Sequence, residues 1–150
     1  MARGDFTLFE EFVVYLGAGD IELDAHTLKL GIVDDTLAPT AADATPAWGD
    51  YSANEVSTAG GYTANGITLT YAGVTRYSEA DGTATLDADD ITISQDGSGF
   101  TDGHYAILYD DDHATDGAIG FIDLGGPVSE QDGDININWN ASGILTVAVS

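Results

Sequence analysis

The chain has 150 residues, no cysteine, and 26 acidic residues against three basic ones, for a net charge of −23. The missing cysteines exclude disulfides, thiolate metal centres and cysteine nucleophiles, and the charge argues against nucleic acid or anionic lipid as partners, which are held by clustered Lys and Arg. The length suits one domain, no stretch approaches the roughly 18 apolar residues of a membrane span, and the first residues lack the apolar run of a secretory signal.

Thr7-Leu8-Phe9-Glu10 has the spacing of a capping box. Phe9, Phe12, Val13 and Leu16 follow at i, i+3, i+4 and i+7, which predicts a short amphipathic helix from Thr7 to Leu16, stopped by Gly17 and Gly19. Such a helix can lie over a sheet or dock on a neighbour, and the sheet is the expectation. Thr27 to Val33 is the first clear strand, with Leu28, Leu30 and Ile32 on one face. Leu37 to Asp50, with Pro39 and Pro46, reads as a long loop that Trp48 and Tyr51 either pack onto the body or offer to a partner; packing is the default for isolated aromatics.

Asn65-Gly66 is a strong hairpin dipeptide, and Ile67, Leu69 and Tyr71 alternate after it. Thr85 to Ile93 is acidic and then strand-like, and Gln95 to Gly103 is a Gly, Ser and Asp loop. From Tyr105 to Val149 four apolar runs follow, separated by polar or glycine breaks, and read as an antiparallel meander. Ile135, Ile137 and Trp139 alternate strictly with Asn136, Asn138 and Asn140, the mark of a half-buried strand. Asn140 to Gly143 is a short loop with glycine where a positive φ is needed. Seven to nine short strands and one helix predict a mainly β, antiparallel, sandwich-like or Greek-key domain with a short N-terminal amphipathic helix.

Asp110-Asp111-Asp112-His113 is the densest acidic run, and carboxylates suit hard cations. It lacks the spacing of a calcium loop, and neighbouring residues of an extended chain point apart, so a solvated turn is the expectation. Asp87-Ala88-Asp89-Asp90 reads the same way, and Asp132-Gly133-Asp134 as a hairpin turn. His26, His104 and His113 are scattered, so a zinc site would need convergence of distant segments. There is no GxSxG or HExxH motif, and Lys29 sits in a strand rather than a phosphate-binding loop. No catalytic residue, cofactor site or metal site is expected. A sugar-binding or hydrolytic sandwich using Trp48, Trp139 and an Asp pair stays open beside that.

In TLKLGIV (Thr27 to Val33), GGYTANGITL (Gly60 to Leu69), LDADDITI (Leu86 to Ile93), YAILYDDD (Tyr105 to Asp112), IGFIDLGG (Ile119 to Gly126) and GDININWNASGILTV (Gly133 to Val147) the chain resembles a family of small virion structural proteins of tailed phages and related archaeal viruses. No one motif is strong; their order and spacing carry the resemblance over most of the chain. It implies a β-sandwich-like protein that decorates or cements the capsid as a trimer, with the major capsid protein as partner and the outer surface of the virion as its place. A tail- or fibre-associated subunit is the nearest alternative. The family often carries Arg before the strand matched by Ala106 to Tyr109 and Trp after the strand matched by Asp89 to Thr92. Here His104-Tyr105 and Ile93 stand there, which leaves the contacts between subunits open. Twenty Asp against six Glu, with one Lys, favour a marine or halophilic source over a basic partner as the origin of the acidic shell.

Overall fold

A computed structural model of the chain describes residues 5–73 and 75–149. The architecture is mainly β, antiparallel and sandwich-like. Its centre is a five-stranded sheet in the order β1 (Thr7–Leu8), β8 (Ala118–Val128), β7 (Gly103–Asp110), β2 (Leu28–Val33), β3 (Ile67–Thr68). A three-stranded sheet, β10 (Leu145–Ala148), β5 (Thr83–Leu86), β4 (Tyr77–Ala80), and a two-stranded ribbon of β6 (Ile91–Ile93) with β9 (Ile135–Ile137) complete it.

Alternation along the central strands divides the apolar side chains between two clusters. Leu28, Leu30, Ile32, Ala106 and Leu108 face the main core, where Leu86, Ile93, Ile135, Ile137 and Leu145 of the smaller sheets meet them. Val33, Ile107, Tyr109 and Phe121 point the other way and are roofed by Phe9, Trp48 and Tyr51. The central sheet is therefore covered on both faces, which is why β2 and β7 read as nearly continuous apolar runs. Between Leu108 and Tyr109 the β7–β8 register skips Ile119, a bulge that sends this side chain into the main core.

Several sequence expectations are corrected. Thr7 does not cap a helix: Thr7 and Leu8 pair with Phe121 and Gly120 of β8, and the Phe9 amide donates to the Ile119 carbonyl. The helix α1 starts later, at Phe12, and runs to Ala18. It buries Phe12 and Tyr15 beside β8 and packs Leu16 on the core but leaves Val13 exposed, so the apolar spacing counted from Phe9 is right at Phe12 and Leu16, wrong at Val13, and misses Tyr15. Gly19, at φ +76°, closes it with its amide on the Leu16 carbonyl.

The loop from Leu37 ends in an element, the helical turn α2 (Trp48–Tyr51), followed by a 3-10 turn at Ser52–Asn54. Asp50 accepts the Ala47 amide, while Trp48 donates to Asp116 and Ala118 to Pro46, fastening the turn to the start of β8. Asn65-Gly66 makes a turn with positive φ at both residues, but no strand precedes it, and β3 pairs with β2 instead of forming a hairpin.

The meander stops after β7 and β8. β9 pairs with β6 and β10 with β5, so Asp132-Gly133-Asp134 and Asn140 to Gly143 link strands of different sheets rather than closing hairpins. Gly143 does take the expected positive φ, +98°. Short strands that are apolar on one face can be satisfied by any neighbour offering a complementary face.

Candidate functional site

The pairing of β2 with β7 ends at Val33 opposite Tyr105. Beyond it β2 runs out into Asp34 and Asp35, and β7 is entered through Asp102, Gly103 and His104. This brings one donor atom each from Asp35, Asp102 and His104 within 4.8 Å of one another. His104 Nε2 lies 3.0 Å from Asp102 Oδ1; the His104 side chain is 16% exposed and that of Asp102 62%. Alongside lies a groove of about 430 Å³, lined by Asp34, Glu55 and Asp102 with Val56 and Phe100 between them.

Gly99 also lines that groove, and behind it sits Glu130, fully buried. Its Oε1 accepts the Gly61 amide; its Oε2 has no hydrogen-bond partner among the described residues. A Cβ on Gly99 would stand 2.4 Å from that oxygen, so only glycine lets the carboxylate pack there.

At the other end of β7 the Asp110-Asp111-Asp112-His113 run is taken apart by the fold. Asp110 is wholly buried, which corrects the expectation of a solvated turn at this residue; Asp111 and Asp112 are exposed. Asp110 Oδ2 lies 2.6 Å from His26 Nδ1, and its Oδ1 accepts the Asp112 amide. The hydrogen bond to Asp110 raises the His26 pKa above the usual imidazole value, against an opposing effect of burial. Asp111 pairs with Lys29 at 2.8 Å, and Asp112 accepts the Thr27 amide at 2.6 Å, a bond that lowers its pKa. His113 Nδ1 lies 3.2 and 3.1 Å from the Thr115 and Gly117 amides as their acceptor, and its ring packs on Tyr15. Three adjacent carboxylates thus serve three different partners.

The other acidic runs are staples as well. Asp89 accepts the Ala72 and Gly73 amides and the Thr70 hydroxyl, and the Gly73 bond leads in lowering its pKa. Asp90 accepts the Trp139 amide and Asp134 that of Gln95. Neither tryptophan is a free platform. Trp48 is 3% exposed and stacks on Tyr109 with ring centroids 5.1 Å apart and planes 2° apart; Trp139 is partly buried, meets Phe6 edge-on and donates Nε1 to the Asp89 carbonyl. The packing reading of Trp48 and Tyr51 holds, and the aromatic turn is removed from the candidate contact surfaces.

What remains outward-facing and apolar among the described residues is scattered: Leu8 on β1, Val13 and Val14 on α1, Leu37, and Val149 beside a second groove of about 420 Å³ at the tip of β4, β5 and β10. Of the three His, His26 meets Asp110 and His104 joins Asp102 and the distant Asp35, and sequence analysis missed the His104 cluster. Pairing β2 with β7 in register would have found it, since Val33 opposite Tyr105 places Asp35 near Asp102 and His104. No local signal marks Glu130. Compared with known proteins, the chain matches no family model, no curated protein and no solved structure.

Proposed function

We propose that this chain is a structural protein of a tailed virus that decorates and cements the capsid shell from its outer surface as a homotrimer, with the major capsid protein as its partner. The observation that carries the reading is where the resembling motifs fall. TLKLGIV, YAILYDDD and IGFIDLGG supply β2, β7 and β8, the middle of the central sheet, and LDADDITI and GDININWN supply β6 and β9. The resemblance therefore covers the frame of the fold and brings no catalytic residue or cofactor with it.

A cement protein binds a repeating lattice through many weak contacts, and multivalency makes those sufficient without a deep pocket. A closed oligomer at a symmetry axis repeats each contact economically. The acidic surface discourages contact with packaged nucleic acid, and among the described residues no helix is long and apolar enough to cross a membrane.

Light scattering on the eluted protein tests the oligomer: a mass three times the 15.5 kDa chain is expected, and a monomer at all concentrations overturns the trimer. Copy number in purified particles tests the location. Tens to hundreds of copies per particle support decoration; a few rings' worth points to a tail or fibre subunit instead.

A further inference from the structure

We propose that Asp35, Asp102 and His104 form a binding site for a first-row divalent metal ion, of the zinc, cobalt or manganese class, at the groove beside the β2–β7 sheet end. The site stands independently of the virion reading. Its three donors come from two segments more than sixty positions apart, held by the paired strands β2 and β7, so their proximity is fixed by the central sheet. The donor set also selects the ion. Calcium and magnesium take oxygen ligands, whereas an imidazole beside two carboxylates suits first-row divalent ions. Ligand bonds of about 2.0–2.2 Å require only a modest closing of side chains already within 4.8 Å. Positions toward solvent stay open for water, since Asp35 and Asp102 are exposed.

Two further observations separate this cluster from the other acids. Elsewhere the carboxylates of the acidic runs are used by the fold: Asp110 by His26, Asp111 by Lys29, Asp112 by Thr27, Asp89 by the Thr70–Gly73 segment. The Asp35 carboxylate has no hydrogen-bond or ion-pair partner among the described residues, and Asp102 reaches only His104. Second, the adjoining groove is lined, among the described residues, by Asp34, Glu55 and Asp102 and by no Lys, Arg or His. Its field is of one sign, and low-dielectric walls focus such a field on a cation.

The test is titration calorimetry of the full chain with Zn²⁺ at about 1 M NaCl, where the Debye length of ~3 Å suppresses diffuse attraction to the acidic shell. One saturable ion per chain is expected, with affinity lowered at least about tenfold in His104→Gln and Asp102→Asn and unchanged in His26→Gln. Absence of saturable binding, or equal binding by the wild type and His104→Gln, overturns the site. Circular dichroism checks that each variant is folded, and the wild type provides a second readout that needs no variant. Substoichiometric Mn²⁺ should broaden the His104 ring signals before those of His26 and His113. Broadening of His26 or His113 first counts against it.

Discussion

Trp48 lies flat on Tyr109 because residue 31 is glycine. A Cβ there would meet the indole ring at 2.3 Å, and the ring is buried and already stacked on Tyr109. Gly31→Ala should therefore cost about 1–3 kcal/mol, as overpacking of a tight core does, measured as a lower urea midpoint. Gly49→Ala, one position past Trp48 and with nothing within 4 Å of the added methyl, should lose no stability. The His26–Asp110 pair gives a pH prediction of definite sign. The His26 pKa is raised in the folded chain, so its contribution is fully present below the unfolded value of about 6.5 and fades as pH rises through the folded value. The melting temperature of the wild type minus that of His26→Gln should thus shrink between slightly acid and slightly alkaline pH. A difference constant across that range would mean the neutral imidazole holds Asp110 equally well.

Among the elements, α1 combines a structural face and a free one. Phe12 and Tyr15 go into the body and Phe9 just before it roofs the second cluster, whereas Val13 and Val14 face outward, 70% and 58% exposed. Removing residues 1–17 would strip both clusters at once, so loss of particle incorporation by that deletion would report unfolding. Phe12→Ala alone should cost about 3–5 kcal/mol in denaturant unfolding. Val13→Ser with Val14→Ser should stay within about 0.5 kcal/mol per site, as exposed positions do. If α1 meets the capsid protein, the same double variant should be under-represented in particles; normal incorporation removes α1 from the interface. The element scale is also where sequence reading failed most. The run Ile135 to Trp139 announces a strand through its alternation, yet its partner β6 lies more than forty positions away, and the pairing depends on which apolar faces the assembled core leaves open. Thr7 to Glu10 carries a valid capping pattern that lost to two ladder pairs with β8, because backbone hydrogen bonds to a sheet already formed outweigh a local cap.

At the scale of the whole molecule, charge dominates. Among the described residues Lys29 forms an ion pair with Asp111, and Arg76 spends its guanidinium on the Leu23 and His26 carbonyls and over the Tyr71 ring. Most carboxylates therefore face one another through solvent, and the folded surface repels itself. Raising NaCl from about 0.01 M to 1 M shortens the Debye length from ~30 Å to ~3 Å, so the melting temperature should climb over that range. A flat profile would show the acids to be neutralised by bound ions. The composition determined this behaviour unaided, along with the mainly β character, the β2, β7 and β8 strands and the breaks between them, because charge and alternation are local properties of the chain. Only the tertiary structure decided that Asp110 is buried, that Trp48 closes over Gly31, that β9 and β10 leave for other sheets, and that Asp35 reaches Asp102 and His104. Each of these depends on strand register between segments far apart in sequence, and register is set by the packing of the whole core rather than by any window of residues.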